Sequence, residues 1–287
     1  MAVQNSLQRS RGNQRLGISA YLTADAVKNQ INQVVGGKDG QRFISAIVSA
    51  VNTNPALQEC TNQSILSGAL LGESLKLSPS PQLGQYYLVP FNDRNKGKVA
   101  QFQLGYKGYI QLAIRSGQYK KLNVLAIKEG ELIRFDPLNE EIEVRLIEDE
   151  EAREQATTIG YYAMFEYTNG FRKAIYWSKR KMEAHALKYS KGYQAKKGYT
   201  FWEKDFDGMA YKTMLRQLIS KWGIMSIDMA SAIDSDMAVI NEDGTKDYVD
   251  NDATVFDMEP AQEATPQQSQ PEPAVPVDAK AALFGNN

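Results

Sequence analysis

The sequence predicts an α+β fold, in which an antiparallel hairpin sheet packs with helices and a disordered acidic tail follows at the C-terminus. Two pairs of β-rich runs, in residues 84–104 and 159–177, are each joined by turn-forming residues. Apolar residues recur at helical spacing in residues 43–51 and 206–218. From about residue 241 the chain becomes acidic and rich in Pro and Gln, a composition that does not bury enough apolar surface to fold.

Composition divides the chain into three segments. Residues 1–20 are expected to form a mobile basic arm, because the first fifteen are mostly Gln, Asn, Ser and Arg with little to bury. Residues 21–240 carry the apolar periodicity of a folded core. Residues 241–287 are predicted to be a disordered acidic Pro/Gln-rich tail, since repeated prolines prevent regular structure.

Helices are predicted to open the core. Residues 20–35 favour a helix with Thr23 as its N-cap, which Gly36, Gly37 and Gly40 then break. The next helix is indicated by an apolar stripe and ends at Asn54-Pro55; the stripe consists of Phe43, Ile44, Ile47, Val48 and Val51. Thr61 is a suitable N-cap for a third helix. A hairpin follows, with strands at 84–91 and 98–104.

The stretch from residue 101 to residue 117 reads as strand, tight turn and helix. Gly105 and Gly108 bracket Tyr106 and Lys107, so that the backbone can bend and let another group approach closely. An aromatic ring, an ammonium group and backbone N–H groups at a helix start would suit a phosphate with a base beside it. The alternative is a strand–helix corner whose glycines serve packing only. Within the helix, the residues at helical spacing are Ile110, Ala113 and Ile114.

Further strands are predicted at 122–127, 132–135 and 142–146, with a solvated acidic loop at 148–151. Asn169-Gly170 lies between two β-rich runs, which is the strongest short signal for a hairpin.

A basic segment follows this second hairpin. Ser178 is expected to cap a helix that begins with Lys179, Arg180 and Lys181. Three cations are unfavourable in a first helical turn, so that they suggest an external anion. Residues 188–197 are predicted to be a mobile loop, and residues 202–221 a long helix on which Lys212 and Arg216 share a face. Its buried stripe would be Phe206, Met209, Ala210, Met214 and Leu218.

Charge and composition narrow the functional class. Residues 224–287 hold two basic and thirteen acidic residues, which leaves residues 1–223 with a formal charge of +10. A basic body with an acidic tail is typical of nucleic-acid binders. One cysteine and one histidine, Cys60 and His185, do not make a Cys/His zinc site. No apolar run approaches the ~20 residues that span a bilayer, and no signal-peptide core is visible, so that a cytoplasmic protein is expected.

Several motifs resemble, in order, those of the RecT family of phage and prophage single-strand annealing proteins. Residues 67–79 (SGALLGESLKLSP) and 84–91 (GQYYLVPF) resemble the family's helix, turn and first hairpin strand, and residues 101–117 its signature. Trp202-Glu203 and residues 209–216 (MAYKTMLR) resemble its late basic helix. The resemblance covers about residues 43–224. It implies an α+β module with an antiparallel hairpin sheet, distantly like the eukaryotic strand-annealing ring proteins.

The resemblance implies binding of single-stranded DNA and annealing of complementary strands in homologous recombination and repair, without nucleotide hydrolysis, cofactor or metal. One groove wall would be the hairpin with its turn, and the other the two basic helices. Backbone-directed contacts suit a protein that needs no sequence preference. The expected phosphate contacts are Lys107, Arg115, Lys179, Lys181, Lys212 and Arg216. The expected stacking or wedge residues are Tyr106, Tyr109 and Trp202. Gln103 and Gly105 are expected to contact DNA from the groove wall.

The family further implies a homo-oligomer, either a ring or a helical filament, that holds an annealed duplex intermediate. A 5′–3′ exonuclease and the host single-strand-binding protein are the implied protein partners. The alternative function is that of a metal-dependent nuclease, which needs convergent carboxylates for Mg²⁺. The carboxylates available for such a site are Glu203, Asp205, Asp207, Asp234 and Asp236.

Overall fold

The structure, a computed structural model, describes residues 16–247 apart from 94, 140 and 199, and apart from the side chains of 37 and 38. It confirms an α+β fold, in which antiparallel sheets pack with helices. Residues 1–15 of the predicted arm and residues 248–287 of the predicted tail lie outside the described residues.

The helices are α1 (Ile18–Thr23), α2 (Asp25–Val35), α3 (Gly37–Thr53), α4 (Asn62–Ser74), α5 (Tyr106–Arg115), α6 (Glu150–Gln155), α7 (Lys179–Tyr189), α8 (Lys191–Gln194), α9 (Phe201–Lys204), α10 (Phe206–Trp222) and α11 (Ile227–Ser235). A 3₁₀ helix, Pro55–Glu59, joins α3 to α4. The strands are β1 (Tyr86–Asp93), β2 (Gly97–Leu104), β3 (Tyr119–Lys128), β4 (Leu132–Asp136), β5 (Glu141–Val144), β6 (Thr158–Tyr167), β7 (Arg172–Ser178), β8 (Val239–Ile240) and β9 (Lys246–Asp247).

Both predicted hairpins are confirmed. Strands β1 and β2 pair antiparallel, with Tyr86 opposite Leu104. Strand β6 pairs with β7 across the Asn169-Gly170 turn and also with β3, so that the sheet order is β3-β6-β7. Strands β4 and β5 form a separate ribbon that lies beside β7. A short strap, β8 and β9, crosses the first hairpin, where Phe102 bridges to Ala238.

Two hydrophobic cores meet at α10. The first core joins the N-terminal helices, the β1–β2 hairpin, α5 and α11. The second lies between the three-stranded sheet and helices α7, α9 and α10. Helix α10 supplies Leu215 and Ile219 to the first core and Met214 and Leu218 to the second, all fully buried. Because α10 is buried on two sides, its remaining face is fixed relative to both the hairpin and α7.

The predicted caps of two helices are confirmed. The Thr61 hydroxyl accepts a hydrogen bond from the backbone N–H of Ser64 at the start of α4. The Ser178 hydroxyl accepts one from the N–H of Lys181 at the start of α7. Each bond satisfies one of the N–H groups that a first helical turn leaves without a partner.

The predicted start of the N-terminal helix is wrong. Thr23 does not cap it but ends α1, and the extended backbone of Ala24 separates α1 from α2. Each helix buries one side chain in the protein interior, Leu22 from α1 and Ile31 from α2. Gly40 does not end a helix, as predicted, but lies inside α3. A β-carbon there would come within 2.6 Å of the Asn32 side-chain oxygen, so that the glycine allows α2 and α3 to pack closely.

Three further predictions need correction. The acidic run 148–151 is not all loop, because Asp149 caps α6 and the next two acids occupy its first turn, where the helix dipole favours them. Residues 188–197 are partly helical, in the end of α7 and in α8. The long helix begins at Phe206 rather than at residue 202, because Asp205 adopts a non-helical backbone and caps α10 through the N–H of Gly208.

Candidate nucleic-acid interface

A cavity of about 430 Å³ opens between β2 on one side and helices α7, α9 and α10 on the other. We call it the central groove. It is lined by Gln101, Gln103, His185, Tyr189, Ser190, Gly192, Thr200, Phe201, Trp202, Met209, Lys212, Thr213, Arg216, Gln217, Asp236 and Met237. The predicted walls, a hairpin opposite two basic helices, are therefore present in the tertiary structure.

A smaller cavity extends the central groove toward the start of α5. Gly105 and Tyr106 line it, and it shares Gln103 and Lys212 with the larger cavity. The fold thus brings six of the predicted site residues to one continuous depression: Gln103, Gly105, Tyr106, Trp202, Lys212 and Arg216.

The floor of the central groove holds a buried ion-pair network around Asp236. The Lys212 ammonium lies 3.0 Å from one oxygen of the Asp236 carboxylate, and the Arg216 guanidinium lies 2.5 Å from the other. The same carboxylate accepts the backbone N–H of Leu104 at 2.9 Å. The Tyr109 hydroxyl donates to it at 3.4 Å, and burial, followed by the charge of Asp236, raises the pKa of Tyr109.

This network limits how far Lys212 and Arg216, the two predicted phosphate ligands, are available to a ligand. The Lys212 side chain is only 11% exposed, whereas that of Arg216 is 36% exposed. Two cations share one fully buried carboxylate, so that the network carries a net charge of +1 rather than +2. Arg216 therefore retains more access to a ligand in the groove than Lys212 does.

Two aromatic rings predicted to stack on bases are packed in the protein instead. Tyr109 is fully buried in the first core, and Trp202 is 7% exposed in the second. Because both side chains are more than nine-tenths buried, neither offers an open ring face for stacking in this conformation. Tyr106, by contrast, is half-buried and lines the groove extension.

The glycines of the central turn serve the packing of the chain against itself. A β-carbon on Gly105 would lie 2.1 Å from the Gly84 carbonyl oxygen, and one on Gly108 would lie 2.1 Å from the Gln85 oxygen. Gly105 has an ordinary φ of −83°. The group that approaches closely is thus the backbone before β1, which favours the alternative that these glycines serve packing.

The remaining predicted cations lie apart from one another. Lys107 is exposed, and its ammonium lies 6.0 Å from the centre of the Tyr106 ring beside the groove extension. Arg115 lies at the opposite end of α5, where its guanidinium donates to the Leu75 carbonyl at 2.5 Å. Lys179 and Lys181 begin α7, and Lys181 lines a neighbouring cavity rather than the central groove.

The carboxylates considered for a nuclease are each engaged in the fold. Glu203 accepts hydrogen bonds from Thr200 and Gly198. Asp205 caps α10, and Asp207 accepts the Tyr161 hydroxyl at 2.6 Å. Asp234 pairs with Lys246, and Asp236 holds the buried network. Among the residues that the structure describes, no three His, Cys, Asp or Glu side chains come together as metal ligands would.

Comparison with known proteins assigns the chain to a family. A sequence profile described as the RecT family matches residues 41–252. The chain belongs to the RecT family. It is 37% identical over 294 residues to the uncharacterised protein YqaK of Bacillus subtilis (strain 168), covering 97% of this chain and 96% of YqaK. It is 27% identical over 240 residues to the protein RecT of Escherichia coli (strain K12), covering 80% of this chain and 86% of RecT.

The RecT-family match includes every element that lines the central groove, from β2 to the strap. Membership supports a general role in DNA recombination by annealing. No helix among the described residues of this RecT-family chain is long and apolar enough to cross a bilayer.

The sequence did not lead us to a second group of residues, which lies near the C-terminal end of α10. Trp177 of β7 and Trp222 of α10 border a cavity of about 470 Å³, which we call the aromatic cavity. Ammonium groups lie on both rings: Lys181 is 4.3 Å from the centre of Trp177, and Lys173 is 3.9 Å from that of Trp222. Alternation along β7 places residues 173, 175 and 177 on one face, which is a signal that the sequence already contained.

His185 was also missed as a groove residue, although it is the only histidine of the chain. Its ring lies between two aromatic rings, with its centre 5.5 Å from that of Trp177 and 4.5 Å from that of Tyr189. Burial, followed by the positive charges of Lys188 and Arg216, lowers the pKa of His185 below its ordinary value of 6.5. The imidazole is therefore neutral at pH 7.

Proposed function

We propose that the chain binds single-stranded DNA in the central groove and anneals complementary strands without nucleotide hydrolysis. The observation that carries the proposal is the RecT-family match over residues 41–252, which spans all the elements of the groove. The groove geometry supports it further, since cations and amide groups line a depression between the first hairpin and a helix that is packed into two cores.

The chemistry of the groove suits contacts to the DNA backbone. Arg216 offers positive charge within the groove, and Lys107 offers it beside Tyr106, which lines the groove extension. Phosphate contacts of this kind carry no sequence information. Gln103 offers its amide group along β2, where its nitrogen also donates a hydrogen bond of 2.8 Å to the buried Gln101 side chain. An annealing protein needs this lack of sequence preference, because base pairing between the strands must decide which partners are accepted.

The structure gives less support to the nuclease alternative. Each of its candidate carboxylates holds a cap, a hydroxyl or an ion pair within the fold. Incubating labelled DNA with the protein and Mg²⁺ separates the two functions, because annealing leaves the strand lengths unchanged whereas a nuclease shortens them.

Replacing Lys107 by alanine tests the groove. We expect the variant to fold normally, since truncation of an exposed lysine costs little stability. Its affinity for an oligodeoxythymidylate should fall, and the slope of log affinity against log salt should become shallower by roughly 0.7, the value of one phosphate contact on a single strand. Fluorescence anisotropy across a salt series measures both quantities.

The matched control for Lys107→Ala is Lys28→Ala, which removes the same charge from an exposed position on α2, away from the groove. It should leave the salt slope unchanged. Identical slopes for Lys107→Ala and the parent would take the start of α5 out of the binding site. Affinity that does not respond to salt in any variant would contradict the proposed function itself.

Acidification should strengthen DNA binding through His185. Its lowered pKa means that the ring gains a proton only as the pH falls below about 6.5, and that proton adds a positive charge to the groove wall. We expect the affinity for single-stranded DNA to rise more between pH 7 and pH 5 in the parent than in His185→Gln. No other histidine contributes, because the chain has one. Equal pH dependence of the two proteins, measured by anisotropy, would contradict a His185 contribution.

We propose in addition that the chain acts in the cytoplasm as a homo-oligomer, a ring or a helical filament, as the family resemblance implies. A 5′–3′ exonuclease and a host single-strand-binding protein remain the proposed protein partners. Light scattering with and without complementary oligonucleotides tests the assembly.

A further inference from the structure

The aromatic cavity combines ring faces and cations at a place that the central groove does not use. Its lining includes the rings of Trp177, Tyr176, Phe135 and Trp222. The Phe135 and Tyr176 rings lie 5.0 Å apart, so that the β4–β5 ribbon closes one wall. Trp222 is 37% exposed, which leaves part of its indole open to a ligand.

Three ammonium groups surround these rings. Lys173 and Lys221 lie 3.9 Å and 5.1 Å from the centre of the Trp222 ring, and Lys181 lies over Trp177. No carboxylate is found among the described residues that line the cavity. The site therefore presents flat apolar surface together with positive charge, which is the chemistry that a nucleobase with its phosphate requires.

The aromatic cavity adjoins the central groove. Gln217 of α10 lines both. Helix α7 supplies Lys181 to the aromatic cavity and, one turn later, His185 to the groove. A strand that follows the groove along α10 would therefore reach the aromatic cavity without leaving the surface between these two helices.

We propose that the aromatic cavity takes an unpaired base of the bound strand, stacked on the exposed part of Trp222, with the adjoining phosphate on the surrounding lysines. The proposal rests on the proposed function and deepens it. Only an unpaired base can turn out of its strand into such a site at low cost, because a base in a duplex must first lose its pairing and stacking. The cavity thus distinguishes a single strand from an annealed duplex and releases its base when a complement pairs.

Intrinsic tryptophan fluorescence of the full chain tests the inference. The probes are an oligodeoxythymidylate, an abasic oligonucleotide of the same length, a preformed duplex and thymidine monophosphate. We expect quenching by the oligodeoxythymidylate and little by the abasic strand or the duplex. Both single strands should still bind in a salt-sensitive manner when followed by anisotropy.

Trp222→Leu should weaken binding of the oligodeoxythymidylate about tenfold while it leaves the affinity for the abasic strand within about twofold. Phe171→Leu is the matched control, because it replaces an exposed ring, in the turn between β6 and β7, that does not line the cavity. It should change neither affinity.

Equal losses for both strands in Trp222→Leu, or equal quenching by the abasic strand, would overturn the stacking site while leaving the proposed function intact. Saturable quenching by the monophosphate at the concentrations at which the oligonucleotide acts would overturn it in favour of a site for a mononucleotide. Failure of either single strand to bind would instead count against the proposed function.

Discussion

Gly108→Ala is expected to destabilise the protein by about 2–4 kcal/mol, a large effect for a single methyl group. The added β-carbon would lie 2.1 Å from the Gln85 carbonyl oxygen and 2.8 Å from a methyl carbon of Leu104. The first of these is a backbone atom, so that α5 must move away from the segment before β1. Urea unfolding followed by circular dichroism measures the change in the free energy of unfolding.

The control for Gly108→Ala lies on the same helix. Gln111 is exposed on α5, and Gln111→Ala should change the stability by no more than about 0.5 kcal/mol. The fraction of Gly108→Ala that remains folded should bind single-stranded DNA with the affinity of the parent, because the glycine packs against the chain itself. A variant as stable as the parent that no longer binds DNA would reverse this assignment and return the turn to the binding site.

Removing the Asp236 carboxylate is the second change with a large expected effect. Asp236→Ala should cost about 3–5 kcal/mol, because it leaves two neighbouring cations without their buried counter-ion. It also leaves the N–H of Leu104 without an acceptor. Asp236→Asn should fall between the alanine variant and the parent, since an amide oxygen can still accept a hydrogen bond while the charge is lost.

Asp234 provides the comparison for Asp236, because it lies two residues away and also forms an ion pair. Its side chain is 66% exposed. Asp234→Asn should therefore change stability by less than about 1 kcal/mol, as is usual for surface pairs. Differential scanning calorimetry of the four proteins gives the order of stability. If Asp236→Ala melts like Asp234→Asn, the network is not a structural anchor of the groove.

Under the proposed function, the Asp236 network also sets how tightly DNA would be held. Its carboxylate already pairs with Lys212 and Arg216 and would compete with phosphate for them, so that the groove would attract a strand with less charge than its cations alone would supply. An annealing protein benefits from such moderation, since the strand must stay available for pairing. Whatever fraction of Asp236→Asn is folded should accordingly show a steeper salt dependence of DNA binding than the parent.

What the sequence determined by itself is the set of local elements and the family. Both hairpins, the helical stripe of α3 and the caps at Thr61 and Ser178 depend on side-chain periodicity and on turn or cap chemistry within a few residues. The ordered motifs of residues 43–224 also identified the RecT family, which the profile match over residues 41–252 confirms.

Only the tertiary structure decided which residues face a ligand. In α5, the spacing of Ile110, Ala113 and Ile114 is as helical as that of Tyr109, Leu112 and Ala113, but the second set is buried and Ile114 is 60% exposed. Periodicity defines a face without stating what packs on it. In the same way, Asp236 reaches Lys212 and Arg216, and Trp222 reaches Lys173, across long separations in the chain. Pairing and burial at such distances depend on how the two cores pack around α10, and no local pattern records that packing.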